Sequence, residues 1–235
     1  MAMRYAQRTR SVAVSGWIGP YSQNNLRDMM RDATLYYVLD PMCSWCWAFN
    51  PHWQQVRGRL PQDMEYRYVM GGLAPDSDEP MPMPMREHLQ SIWRTIAERT
   101  GATFNYEFWS RCTPRRSTYP ACRAVIAAGL QDESKTERMI AVIQQAYYME
   151  ARNPSDASVL SECAAAIGLD SERFDADIAG AAVNERLQQD FALRDRFGVQ
   201  GFPSLVVHYR ENYYPISSGY CDAQDVLDRV TTVTQ

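Results

Sequence analysis

The sequence predicts an α/β fold in which a helical segment interrupts a small sheet. Residues 34–39 (TLYYVL) and 64–70 (MEYRYVM) have strand character and flank a helix, which is typical of a parallel strand pair joined by a crossover. Residues 204–209 (SLVVHY) and 213–217 have strand character near the other end of the chain. The expected order is therefore β-α-β, then a helical block, then β-β-α.

The first strand is a β-branched and aromatic run, and the helix after it extends from Cys43 to about Gly58. Polar and apolar residues alternate in the second strand, which ends at Gly71-Gly72. The late strands are separated by a turn near Glu211-Asn212, so we expect them to form a hairpin in the same sheet.

Apolar residues spaced three and four apart predict the helices of the middle block. These helices lie around 89–101, 120–130, 134–147, 160–167 and 184–197, and a last helix covers 222–230. Ser134-x-x-Glu137 predicts a capping box at the start of one of them. Gly101, Gly168 and Gly198 are expected to end three others, because glycine adopts the left-handed conformation found at helix ends.

These elements divide the 235-residue chain into four parts. Residues 1–32 lack periodicity and form an N-terminal extension, which a later start site would remove. Residues 33–75 and 198–235 form the two parts of the α/β domain, and 76–197 form the helical insertion. The length suits one domain with a large insertion.

Composition excludes several classes of protein. Apolar residues make up 46% of the chain, which is enough for a core, and the net charge is −4. No basic run is available to neutralise phosphates, so we expect no nucleic-acid partner. No apolar run approaches the ~20 residues of a membrane-spanning helix, and residues 11–20 lack the apolar stretch of a signal peptide. We therefore expect no membrane association and a cytoplasmic location, with the periplasm as the alternative. Six cysteines are too few for a disulfide scaffold.

The chemistry predicted by the sequence lies at the first turn, where Cys43-Ser44-Trp45-Cys46 follows a strand and opens a helix. In a βαβ setting this spacing is typical of a redox pair. Backbone N–H groups and the helix dipole stabilise a thiolate at the helix start, so Cys43 is the predicted nucleophile. Cys46 lies one turn inside and is the predicted resolving cysteine. The alternatives are half of a zinc site, for which no second close Cys or His pair is present, and a coincidental pair of core cysteines.

The segment Asp40-Pro41-Met42-Cys43-Ser44-Trp45-Cys46-Trp47 resembles the active-site turn of the DsbA/FrnE-like branch of the thioredoxin superfamily. Residues 198–205 (GVQGFPSL) resemble the family's G-V-x-G-x-P-[ST] segment, and Pro51 falls where family helices carry a kinking proline. The resemblance covers about residues 34–232. It implies a thioredoxin fold with an all-helical insertion between the second and third strands.

The resemblance also implies a thiol–disulfide oxidoreductase or isomerase that acts on protein or small thiol and disulfide substrates. No metal and no cofactor beyond the cysteines is expected, although glutathione is a possible co-substrate. Pro203 would be preceded by a cis peptide bond and lie beside the cysteines, and Phe202 would face the substrate cysteine. The inter-cysteine pair is Ser44-Trp45 instead of the Gly-Pro of thioredoxin or the Pro-His of DsbA. Because this pair helps set the redox potential, the direction of electron flow stays open. The sequence does not predict the oligomeric state.

Two other functions are compatible with these residues. One is a glutathione-dependent transferase or isomerase on the same fold, similar to the kappa-class transferases, although such enzymes do not depend on a second cysteine such as Cys46. The other is a holdase that binds unfolded chains, in which the cysteines are incidental.

Several further residues are candidates for a role near the cysteines or in the core. Asp40 is either a proton relay for Cys46 or a residue that initiates the turn before proline. We expect Trp45 to be exposed and to line a peptide groove, and Trp47 to belong to the core. Cys112 and Cys122 are either a second redox pair or small core residues.

Overall fold

The computed structural model describes residues 33–235, so the predicted extension at 1–32 lies outside the described residues. Four strands form one mixed sheet with the order β2-β1-β3-β4. The strands are β1 (Ala33–Leu39), β2 (Glu65–Met70), β3 (Ser204–Tyr209) and β4 (Asn212–Ser218). The first two strands pair in parallel, and the other pairings are antiparallel.

The helix Ser44–Arg59 connects β1 to β2, and the helix Ala223–Thr234 follows β4. Seven helices of the described chain lie between β2 and β3. The bounds are α1 (Ser44–Arg59), α2 (Met83–Thr100), α3 (Phe108–Arg111), α4 (Tyr119–Gln131), α5 (Lys135–Tyr148), α6 (Ala157–Ala166), α7 (Ser171–Ile178), α8 (Ala181–Arg196) and α9 (Ala223–Thr234). The predicted α/β fold with a helical insertion between the second and third strands is confirmed.

Aromatic packing joins the helical insertion to α1. Trp93 of α2 lies among the rings of Phe104, Phe108, Tyr147 and Tyr148. On its other side Tyr148 stacks against Trp47 of α1, with 5.5 Å between ring centroids. Because aromatic rings bury large areas, this cluster fixes the insertion against the helix that carries the two cysteines.

The strands agree closely with the prediction, and the three predicted glycine ends are confirmed. Gly101, Gly168 and Gly198 have φ of +74°, +76° and +67°, which is the left-handed conformation expected after a helix. Helix α2 begins at Met83, just after Pro82 and ahead of the first apolar residue of the predicted helix, Leu89. The short helices α3 and α7 had no prediction because their apolar spacing is too brief to recognise.

The predicted capping box at Ser134 is wrong. Its backbone has helical angles (φ −64°, ψ −16°), so its hydroxyl does not accept from the first turn of α5. Instead both the N–H and the hydroxyl of Ser134 donate to the carboxylate of Asp132. Glu137, the other half of the predicted box, forms an ion pair with Arg57 of α1.

Candidate active site

The cysteine pair lies at the start of α1, just after the turn that connects β1 to this helix. Cys43 is the N-cap residue with extended backbone angles, and its N–H donates to the carbonyl of Asp40 at 3.0 Å. Its own carbonyl accepts the first helical bond from Trp47. Cys46 lies one turn further and is fully buried, whereas Cys43 keeps 7% of its surface exposed. The burial difference predicted from the spacing is therefore present.

The two thiols have opposite electrostatic environments. A hydrogen bond from the Cys46 thiol and the backbone N–H groups of Cys46 and Trp45 lower the pKa of Cys43, against the opposing effects of burial and the nearby Asp40. Burial, followed by the interaction with Cys43, raises the pKa of Cys46 well above its usual range. Cys43 is therefore the thiol that ionises first, as an attacking nucleophile must.

A loop from the other end of the chain closes over Cys43. The peptide bond between Phe202 and Pro203 is cis, as the motif resemblance predicted. The carbonyl oxygen of Phe202 lies 3.6 Å from Cys43 Sγ, so the thiol donates to it. The Phe202 ring also packs over Gly71: a Cβ added to this glycine would lie 2.3 Å from the ring. Apart from the glycine pair that ends β2, no sequence pattern indicates this contact.

Asp40 has the turn-initiating role, which is one of its two predicted roles, and its role as a proton relay stays a prediction. Its Oδ1 accepts from the N–H of Met42 at 2.8 Å, which is the turn-initiating contact. Its Oδ2 accepts from the Leu73 N–H and the Thr118 hydroxyl, each at 2.6 Å, and from the Cys122 thiol at 3.7 Å. The residue is fully buried, and burial raises the pKa of its carboxyl in spite of these hydrogen bonds. Sequence reasoning missed Thr118 because it lies far along the chain and no pattern marks it.

Trp45 is less exposed than predicted. The indole packs 5.9 Å from the ring of Tyr220, and the Arg99 guanidinium lies over its face at 5.5 Å. It therefore shapes the wall beside Cys43, and its predicted role in lining a groove stays a prediction. Ser44, the first residue of α1, is half-buried. Trp47 is only partly buried but packs against the core, as predicted.

The sulfurs of Cys112 and Cys122 lie against different groups. Cys112 Sγ contacts the carbonyl oxygen of Ala151 at 3.1 Å, whereas Cys122 is fully buried and contacts Asp40. Burial raises the pKa of both thiols, Cys122 the more strongly. Cys122 thus fits the core alternative, and it adds a thiol to the surroundings of Asp40 that the sequence did not predict.

These elements define a thioredoxin fold with a two-cysteine site at the start of its first helix. The chain belongs to the thioredoxin family whose model, Thioredoxin_5, matches residues 36–216. The DsbA-like branch inferred from the two motifs is confirmed by this match and by the solved structures similar to this chain.

Two similar solved structures cover most of the chain. A candidate protein disulfide isomerase from Nitrosomonas europaea is 27% identical, with a TM-score of 0.77, and the match covers 86% of this chain and 97% of that one. The cytosolic disulfide reductase DsbM from Pseudomonas aeruginosa is also 27% identical, with a TM-score of 0.70 and coverage of 86% and 98%. The latter protein has also been solved with GSH.

A curated relative with a different described role is the ClpXP adapter protein SpxH from Bacillus subtilis. It is 27% identical over 173 residues, which represent 73% of this chain and 56% of that protein. This chain therefore matches little more than half the length of this relative. No helix in the described part of the chain is long and apolar enough to cross a membrane.

Proposed function

We propose that this protein is a thiol–disulfide oxidoreductase that exchanges disulfides through Cys43 and Cys46. The proposal rests on the difference in pKa and burial between the two thiols at the start of α1. Cys43 has a lowered pKa and keeps 7% of its surface exposed, whereas Cys46 is fully buried with a raised pKa. This is the asymmetry required of an attacking and a resolving cysteine.

In the reducing direction the Cys43 thiolate attacks one sulfur of a substrate disulfide. The substrate S–S bond breaks, a mixed disulfide with Cys43 forms, and the released substrate thiolate takes a proton from solvent. Cys46 then loses its proton and attacks Cys43 Sγ, which releases the second substrate thiolate. The substrate gains two electrons, and the pair becomes a disulfide. Asp40 and its hydrogen-bonding partners are the proposed proton relay for the loss of the Cys46 proton, through the interior of the site.

Glutathione is the proposed thiol partner of the pair. Two glutathione molecules would reduce the Cys43–Cys46 disulfide and leave as oxidised glutathione. Support comes from DsbM, which is similar over most of this chain and has been solved with GSH. The Arg99 guanidinium lies over Trp45, a residue between the two cysteines in sequence, and its positive charge suits the carboxylates of a glutathionyl group.

The decisive experiment is redox equilibration of the purified protein in glutathione buffers, with the Cys43–Cys46 state measured by alkylation and mass spectrometry. We expect reversible oxidation of this pair at a defined potential. A potential near −270 mV would identify a reductant, and one near −120 mV an oxidant. Cys112→Ser is the matched control, because it removes a thiol outside the pair. A pair that fails to exchange with glutathione or with a protein disulfide would contradict the proposal.

A second candidate function is that of a binding adapter, favoured by the similarity to the ClpXP adapter SpxH. Here the fold would present a partner-binding surface and the cysteines would be dispensable. The two functions are separated by the Cys43→Ser/Cys46→Ser variant. An adapter keeps its effect on the degradation of a partner protein in cells after this change, whereas an oxidoreductase loses its exchange activity.

A further inference from the structure

The outer edge of the sheet has a feature that the cysteine chemistry does not use. Strand β2 is an edge strand, because the sheet order begins with it. A cavity of about 690 Å³ borders this edge and is separate from the cysteine pair. Its walls come from β2, from α4 and α5, and from α8. The lining includes Tyr66, Tyr68, Leu130, Glu133, Arg186 and Asp190.

The backbone of β2 leaves hydrogen-bonding groups directed at this cavity. The N–H of Gly71, just after the strand, donates to Leu39 of β1, so alternate residues before it face β1. The N–H of Met70 points the opposite way and donates to Asp190 of α8 at 2.9 Å. By the same alternation, Tyr66 and Tyr68 direct their N–H and C=O groups outward, and no group in residues 33–235 pairs with them.

The closed end of the edge defines how much of it is available. The buried carboxylate of Asp190 accepts the hydrogen bond from the Met70 N–H. It also forms an ion pair with Arg186, with 3.3 Å between Arg186 Nε and Asp190 Oδ1. This carboxylate caps the strand and leaves the Tyr66 to Tyr68 stretch open. Unpaired strand edges recruit another extended chain when nothing covers them. Helices α4, α5 and α8 line the same cavity, so a whole sheet could not dock against this edge without contacting them.

The charged residues that line the cavity indicate what charge a bound polypeptide should carry. Both arginines of the lining are already paired, Arg67 with Glu65 and Arg186 with Asp190. Glu133, which is exposed, has no cationic partner among residues 33–235. Leu130 lies on the same rim and is 48% exposed, so the groove also offers an apolar anchor.

We propose that the outer edge of β2 and this cavity form a binding groove for an extended, basic polypeptide segment. The segment joins the sheet as a fifth strand beside β2, with its backbone paired to Tyr66 and Tyr68. Its apolar side chains contact Leu130, and a lysine or arginine pairs with Glu133. Main-chain hydrogen bonds supply affinity in this mode of recognition, and side-chain contacts supply specificity. The groove does not depend on disulfide exchange.

The probe for this groove is a fluorescein-labelled peptide of sequence Lys-Thr-Val-Thr-Val-Lys. It is titrated against the full chain with Cys43 alkylated, so that the cysteine site is blocked. We expect saturable binding and slower hydrogen exchange at the amides of Tyr66 and Tyr68, with little change at Arg67. Two N-methylated peptides provide the sharpest test, because an added strand faces β2 with alternate residues only. Methylation of one alternate set should weaken binding about tenfold or more, and methylation of the other should be tolerated.

Glu133→Lys should weaken binding of the basic peptide by about three- to tenfold, as expected for converting an exposed ion pair into a repulsion. Glu87→Lys is the matched control, since Glu87 is exposed on α2 and does not line the cavity. Equal binding of the two methylated peptides would overturn the proposal. Slower hydrogen exchange at other amides in place of Tyr66 and Tyr68 would also overturn it, as would the absence of saturable binding. None of these outcomes bears on disulfide exchange, which is measured separately with insulin as substrate.

Discussion

The sulfur of Cys43 lies 3.6 Å from the carbonyl oxygen of Phe202, although 159 positions separate the two residues in the chain. Cys43 is the N-cap residue just before α1, and Phe202 lies in the loop that leads into β3. The antiparallel pairing of β1 with β3 brings these positions to the same end of the sheet. The contact therefore depends on the sheet, and the helical insertion between the two motifs does not disturb it.

The two cysteines should differ in their exchange chemistry. Cys43→Ser should abolish disulfide exchange, because it removes the thiol that ionises first. Cys46→Ser should leave Cys43 able to attack, and mixed disulfides should accumulate because no thiol resolves them. Mass spectrometry after incubation with oxidised glutathione measures the adduct. If Cys43→Ser accumulated the adduct and Cys46→Ser did not, the assigned roles would be reversed.

The reduced protein should react with iodoacetamide at Cys43 with an apparent pKa clearly below that of a free thiol, ~8.5. The hydrogen bond from Cys46 and the N–H groups at the helix start are the cause. The alkylation rate of Cys43 should therefore stay constant as the pH falls below ~8.5. It should decrease only when the pH reaches the lowered pKa of Cys43. A depressed pKa also stabilises the folded, reduced protein above the ordinary thiol pKa, and this contribution is lost as pH falls through the lowered value.

Controls for this titration come from the other thiols. Cys122 is fully buried and its pKa is raised well above the usual range, so it should not be alkylated at neutral pH. Cys43→Ser should remove both the fast alkylation and the associated pH dependence of stability. An apparent pKa of Cys43 at or above the free value would contradict its assignment as the nucleophile.

Local patterns predicted the strands, most helices and the cysteine pair because each depends on residues close in sequence. The buried strand 204–209 is an example, since its apolar run specifies the element without distant contacts. The surroundings of Asp40 could not be predicted in this way. Thr118 and Cys122 reach its carboxylate only after α4 packs against the end of β1, and their spacing from Asp40 follows from tertiary structure alone.

The predicted capping box at Ser134 also failed because of contacts that the local pattern does not include. The spacing of Ser134 and Glu137 fits the pattern, but the Asp132 carboxylate accepts both the N–H and the hydroxyl of Ser134. Glu137 is drawn instead toward the cation of Arg57 on α1. The local motif therefore does not form, because an ion pair with another helix and a neighbouring carboxylate are more favourable. The sequence alone does not show which of these interactions is the stronger.

Asp40→Asn should change the two cysteines in distinguishable ways. The Asp40 charge raises the pKa of both thiols, so its removal should shift the Cys43 alkylation profile to lower pH. If Asp40 also accepts the proton of Cys46, the resolving step should slow by about 100-fold near neutral pH, as for a positioned general base. Stopped-flow kinetics of mixed-disulfide resolution measures this step.

Asp76→Asn serves as the control for Asp40→Asn, because Asp76 is an exposed carboxylate paired with Arg123. It should leave both measurements unchanged. A shifted alkylation profile with an unaltered resolving rate would assign Asp40 an electrostatic role only and would contradict the proposed relay.

The ring of Phe202 packs against Gly71, and overpacking at this glycine tests the contact. Gly71→Ala would place a Cβ 2.3 Å from the Phe202 ring, and the ring must move because the backbone at Gly71 is held by the bond to Leu39. We expect a loss of about 1–3 kcal/mol in stability from overpacking, and slower disulfide exchange because Phe202 also carries the carbonyl beside Cys43. The double variant Gly71→Ala/Phe202→Ala should recover part of both losses, since the smaller side chain leaves room for the new methyl group. Thermal unfolding and insulin reduction measure the two effects in all four proteins of the cycle. Strictly additive losses in the double variant would mean that the ring and the glycine are energetically independent, and the Phe202–Gly71 contact would then have no part in positioning the loop over Cys43.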